Sequence, residues 1–355
     1  MKLPRIRVAL AGLLALCLAA PVQAAFQDPL DVPAVKSVFA PRALANGLAM
    51  AGKRMVAVGQ RGHILTSEDG GKTWAQATVP VSTDLTAVFF VTPERGWAVG
   101  HGGVVLATQD GGKSWNKQLD GRALGKLLVG HYEGHDGKDM SAEKLAQMRA
   151  DAKRFADEGP DKPFLDLWFE DENTGYVVGL FNLILKTGDG GKTWQPWFDR
   201  TDNPQAYHFY AIRPVGNDLY LAGEQGMVQK LDKAAQRFKA LPVDYKGTFF
   251  GITGKPGAVI VYGLRGNAFR SGDDGKIWQK IETGVVAGLT GATITADGRI
   301  LMVTQGGQVL ASSDDGRSFS RLKLERPVPA SALLEVGTGT LAIAGARGIH
   351  IQAVK

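Results

Sequence analysis

Few residues in this chain have types and spacings that could do chemistry. His131-Tyr-Glu133-Gly-His135-Asp136 gathers two imidazoles and two carboxylates, donor types that can hold zinc. The spacing is not the helical HExxH pattern, in which two histidines share a helix face. The glycines at 134 and 137 predict a polar surface loop, so no metal is expected there. Gly191-Lys192-Thr193 looks like the tail of a phosphate-binding loop. Lys186 stands where the leading glycine must be, and a strand rather than a helix is expected to follow. Gly121-Arg-Ala-Leu-Gly125-Lys126-Leu127 fails in spacing and lacks the Ser or Thr. Glu172, Asp218 and Glu224 are acids with no supporting motif, and His63, His208 and His350 are scattered. No catalytic residue and no cofactor follow from these residues.

The elements that would position such groups are set by a repeat. Ser67-Glu-Asp69-Gly-Gly71-Lys-Thr73-Trp74 returns as Thr108-Gln-Asp110-Gly-Gly112-Lys-Ser114-Trp115 and as Thr187-Gly-Asp189-Gly-Gly191-Lys-Thr193-Trp194. Weaker copies are Ser271-Gly-Asp273-Asp-Gly275-Lys-Ile277-Trp278 and Ser312-Ser-Asp314-Asp-Gly316-Arg-Ser318-Phe319, and a decayed one runs from Lys230 through Asp232 to Phe238. The aromatic residues that end these copies fall 40 to 44 positions apart, except for the 79 between Trp115 and Trp194. In each turn the aspartate can accept N–H bonds and the glycines can take positive φ. The closing Trp or Phe is expected to return to the core. Short β-rich runs such as Leu85–Val91, Gly96–Gly100, Val104–Thr108 and Ser114–Leu119 give four strands per repeat.

Four-stranded units every 41 residues or so predict an all-β, seven-bladed propeller of antiparallel blades. The last unit, Ser331–Val336, Thr340–Ala344 and Gly348–Val354, has only three strands. Val35–Ala40 is expected to supply the fourth and close the ring, which hides the edges of the first and last blades. One domain, 25–355, is expected after a signal peptide at 1–24, with an insertion at 121–163 between blades 2 and 3.

These turns resemble bacterial neuraminidase (Asp-box) repeats. With Gly175-Tyr-Val-Val-Gly179 and Gly263-Leu-Arg-Gly-Asn-Ala-Phe-Arg-Ser271 leading into two of them, the chain is similar to the photosystem II stability/assembly factor family. That resemblance implies a seven-bladed propeller that binds a client rather than turning over a substrate. The client it implies is a membrane protein complex or its precursor subunit, met through an arginine-rich surface. The hydrolase alternative needs an arginine triad, an acid and a Tyr nucleophile. The Arg-Ile-Pro signature is absent, and Ala211-Ile212-Arg213-Pro214 only scrambles it. A glycan- or small-ligand-binding propeller is the other alternative.

The turns between strands 2 and 3 share the face opposite the Asp-box turns. They carry Arg61, Arg265 and Arg347 in three of seven blades and His101 in a fourth. They predict a basic face for carboxylates or an acidic segment, unless these arginines are merely salt-bridged to neighbouring blades. The insertion holds eight basic and eight acidic residues. Ser141 can cap a helix running to about Glu158 and ended by Gly159-Pro160, with Leu145, Met148, Ala152 and Phe155 on one apolar face. That face could dock a partner or pack on the propeller flank.

Net charge adds little. Residues 1–24 carry Lys2, Arg5 and Arg7, then an apolar run from Val8 to Ala20 and a Val22-Gln23-Ala24 cleavage pattern. Without them 38 basic residues face 35 acidic ones, a net +3, which is poor support for nucleic-acid binding. Cys17 is the only cysteine, and Leu16 before it does not suit lipid attachment. A periplasmic or secreted monomer is expected, in a thylakoid lumen if the host is photosynthetic. It would have no disulfide and no membrane insertion after cleavage.

Overall fold

A computed structural model describes residues 27–138 and 140–354. The signal peptide expected at 1–24, and with it Cys17, lies outside the described residues. Seven antiparallel sheets stand in sequence order around a channel, six with four strands and the last with three. The innermost strands are Ala45–Ala51, Leu85–Phe90, Phe164–Phe169, Phe209–Val215, Phe249–Lys255, Leu289–Ile294 and Ala332–Gly337. The expected seven-bladed propeller is therefore the fold, with its insertion between blades 2 and 3.

Six of the inner strands slip register near their start, at Asn46, Thr86, Leu165, Tyr210, Phe250 and Thr290. A bulge turns its extra side chain out of the pleat, and here several bulge residues bind the next blade. Asn46 Nδ2 donates to Leu85 O at 2.8 Å, Thr86 Oγ1 to Phe164 O at 2.8 Å and Thr290 Oγ1 to Ala330 O at 2.9 Å. Further out, aromatic pairs join the blades, with Trp97 of blade 2 stacked on Phe169 of blade 3 at a centroid distance of 3.5 Å.

The Asp-box turns form as the repeat predicts. In blade 1, Ser67 Oγ donates to Asp69 Oδ1 and accepts the Gly71 N–H, while Asp69 accepts the N–H and hydroxyl of Thr73. Blades 2, 3 and 6 repeat all four bonds, at Asp110, Asp189 and Asp314. At Asp273 the hydroxyl bond is gone because Ile277 has none to give. Trp115 and Trp194 are buried, whereas Trp74, Trp278 and Phe319 are half-buried.

Two sequence expectations need correction. First, Val35–Ala40 adds no strand to blade 7. The chain turns through a 3-10 segment at Ala40–Arg42, and Pro41 has no N–H to give a ladder. Just before it, the Ala34 N–H donates to Val79 O at 3.1 Å and the Ser37 N–H to Gln76 Oε1 at 2.9 Å, both in blade 1. Ala40 instead plugs the last seam, among Ala57, Leu65 and Trp74 of blade 1 and Ile349 of blade 7. Second, the expected loop at 131–136 begins as helix. The insertion is a pair of helices, α1 (Gly121–Glu133) and α2 (Ala142–Glu158). Asp120 caps α1 by accepting the N–H groups of Arg122 and Ala123, and Ser141 caps α2 as expected. Gly125 lets the helices touch, since a Cβ there would stand 2.8 Å from Ala156 Cα.

Candidate functional site

The turns between strands 2 and 3 tighten into one 3-10 turn in blades 1, 2, 4 and 5. In these blades the middle residue of the 3-10 turn is left-handed: Arg61 at φ 53°, Gly102 at 69°, Gln225 at 55° and Arg265 at 55°. Blade 3 places Phe181 there at φ 55°. A left-handed side chain costs roughly 1–2 kcal/mol, and glycine avoids it. Arg347 occupies the matching position in blade 7, followed by Gly348 at φ 85°. Arg61, Arg265, Arg347 and His101 are all exposed. Among the described residues, no carboxylate pairs with the three guanidinium groups. The Arg61 backbone N–H donates to Asp84 Oδ1 at 2.7 Å, which fixes the turn and leaves the side chain out of it.

The helical insertion lies at this same end. The start of α1 sits against the blade 2 turn, where a Cβ on Gly103 would meet Gly121 Cα at 3.0 Å. The Arg154 guanidinium of α2 lies 5.9 Å from the ring of Phe181 in the blade 3 turn. Leu145, Met148 and Phe155 do not form an outer docking face. They are buried, the last two in a core shared with blades 2 to 4, because α1 and Phe198 cover them. Tyr132 is buried too and donates its hydroxyl to Asp199 Oδ1 at 3.0 Å. Its phenol is pushed up, first by burial and then by the Asp199 charge. His131 lies in the last turn of α1, and its ring centre lies 6.1 Å from that of His135. Among the described residues no three His, Cys, Asp or Glu side chains converge as metal ligands.

The channel holds a charge pair that the sequence did not single out. Asp166 of blade 3 and Arg213 of blade 4 meet at 2.5 Å. Asp166 Oδ2 also accepts the Ile212 N–H at 2.9 Å, and Arg213 Nη1 also donates to Leu167 O and Ile212 O. Burial pushes the Asp166 carboxyl up, against the Arg213 charge and the Ile212 N–H that hold it down. Arg213 belongs to the scrambled signature, and position alone gave no sign that it faces the channel. Glu172, Asp218 and Glu224 lie elsewhere, Asp218 paired with Lys230 at 2.7 Å and Glu224 3.6 Å from His208.

The family model for photosynthesis system II assembly factor YCF48 matches residues 49–131 and 156–309, about two thirds of the chain. The chain belongs to this family. The gap in the YCF48 match, 132–155, removes the end of α1 and most of α2, so the insertion departs from the family pattern. The photosystem II assembly lipoprotein Ycf48 of Synechococcus sp. (strain CC9902) is 24% identical over 177 residues, covering 49% of this chain and 52% of that one. The photosystem II assembly protein Ycf48 of Thermosynechococcus vestitus is 24% identical over 162 residues, covering 43% and 45%. The chain thus spans about half the length of the curated relatives it matches. A solved structure of YCF48 bound to D1 peptide superposes with a TM-score of 0.62 at 16% identity, over 91% of this chain and 99% of that one, and shows a shared fold. Among the described residues no helix is long and apolar enough to cross a membrane.

Proposed function

We propose that this chain is a non-catalytic, exported propeller, one domain over 25–355 after a signal peptide at 1–24. It acts as a monomer on the periplasmic or lumenal side of a membrane. There it binds an acidic, extended segment of a membrane-protein subunit while that subunit's complex is assembled. The observation that carries this reading is the trio Arg61, Arg265 and Arg347. Each is exposed, none has a carboxylate partner among the described residues, and two hold backbone angles that glycine would hold more cheaply. An unpaired guanidinium can take a carboxylate in two parallel bonds. A YCF48 relative solved with a D1 peptide supports a peptide as the client's form. The insertion would serve this face as a rim, since its apolar residues are already spent inward.

The test is affinity capture from gently solubilised membranes, with Arg61, Arg265 and Arg347 changed together to Glu as control. Wild type should enrich one membrane complex in a salt-sensitive way, and the variant should lose it while keeping its melting temperature. Equal capture by a folded variant would defeat the basic-face reading. Arg61→Gly with Arg265→Gly refines the test. Stability should stay within about 1 kcal/mol, while client binding weakens.

A further inference from the structure

The sevenfold repeat supplies its own control for the channel wall. At the inner-strand position held by Asp166 in blade 3, the other blades carry Gly47, Ala87, Ala211, Gly251, Gly291 and Ala332. A propeller of this size therefore needs only a small apolar residue there. On the second strand, these positions pair with Val58, Val99, Val178, Ala222, Val303 and Ala344, except that blade 5 carries Tyr262 opposite Gly251. Arg213, two positions after Ala211, is the one charged residue at its level, where other blades have Ala49, Phe89, Trp168, Thr253, Thr293 and Leu334. Three consecutive blades thus break the repeat, and all three breaks line a single cavity of about 210 Å³ in the channel.

The details fit a receptor rather than a brace. Asp166 is buried and spends Oδ2 on both the Ile212 N–H and the Arg213 guanidinium, so it holds the guanidinium in place. Arg213 spends Nη1 on Asp166 and two carbonyls, while its side chain stays 39% exposed. Gly251 leaves the space that the Tyr262 phenol fills, since a Cβ there would stand 2.2 Å from its oxygen. That phenol lies close enough to be influenced by both charges. Tyr210 and Phe250, ring centres 5.5 Å apart, form an apolar wall at the level of the bulges. Across the channel Asn46, Thr290 and Ser331 are small and leave the room. The cavity amounts to about seven waters by liquid volume, enough for a small organic acid.

We infer that the channel is a carboxylate-binding site, in which the free edge of Arg213 and the Tyr262 hydroxyl hold the carboxylate and Tyr210 and Phe250 take a short apolar body. The carboxylate is that of a small acid or of a peptide C-terminus entering from the end that bears the arginine turns. The site stands apart from the basic-face reading, because its binding can be measured with no client present.

Calorimetric titration tests it with butyrate, benzoate and an N-acetylated dipeptide acid, each against its own amide. At least one acid should bind saturably and its amide at least tenfold more weakly. Binding by both small acids and the dipeptide marks a general small-acid site, and binding by the dipeptide alone marks a peptide terminus. Tyr262→Phe, which removes one oxygen, should weaken the bound acid several-fold. Asp166→Asn with Arg213→Gln keeps the shape of the pair without its charge and should weaken it at least tenfold, with folding checked by thermal melting. No saturable binding by any acid, equal binding by acids and amides, or undiminished binding in both folded variants would overturn the inference.

Discussion

Asp69 shows how a single side chain holds a blade tip. The Thr73 hydroxyl and then the Thr73 N–H hold its carboxyl down at about 2, against an ordinary value of 3.8. Protonation removes an acceptor that the turn needs. A folded value below the unfolded one gives stability that is present above about pH 4 and lost as pH falls toward 2. Asp273 and Asp314 are held down in the same way by their turn partners. Stability measured in denaturant should therefore fall between pH 4 and pH 2, and Asp69→Asn should flatten part of that fall. The aromatic ends of the turns differ in weight. Trp115 is 4% exposed and donates its indole N–H to Gly112 O at 3.0 Å, so Trp115→Ala should cost about 3–5 kcal/mol. Trp74 makes the same bond to Gly71 but is only half-buried, so Trp74→Ala should cost about 1–3 kcal/mol. Equal losses in the two variants would mean that burial does not set the difference.

At the scale of elements, α2 was legible and α1 was not. Ser141, the apolar spacing Leu145, Met148, Ala152 and Phe155, and Gly159-Pro160 mark the start, face and end of α2. The glycines at 134 and 137 read as a polar loop over 131–136, yet α1 runs to Glu133, and Gly125 is in that helix because α2 comes too close there for any side chain. Local propensity lost to a tertiary contact worth more than the roughly 1 kcal/mol that a helical glycine costs. Gly125→Val should force the helices apart, cost about 1–3 kcal/mol and make the 121–160 segment the first site cut in limited proteolysis. An unchanged melting curve and cleavage pattern would show that the close crossing is not needed.

For the whole molecule, the ring closes without a strand borrowed from the N-terminus. Blade 7 ends with three strands, and Ala40 fills the seam with blade 1 without pairing as a strand. Ala40→Glu would put an unpartnered carboxylate into that seam, for an expected loss of about 2–4 kcal/mol by chemical denaturation. Wild-type stability in that variant would mean that the seam is held elsewhere. The sequence by itself determined the propeller, its seven units and the end on which the arginine turns lie. These rest on a repeated turn whose aspartate, glycines and aromatic residue act within a few positions of one another, and on a strand count that alternation carries around the ring. Only the tertiary structure decided which apolar residues of the insertion were spent inward, how the last seam is filled, and that Asp166, Arg213 and Tyr262 line one cavity. Those three come from three blades, 96 positions apart at the extremes. No local pattern relates them, because the approach of neighbouring blades at the channel depends on the curvature of the closed ring.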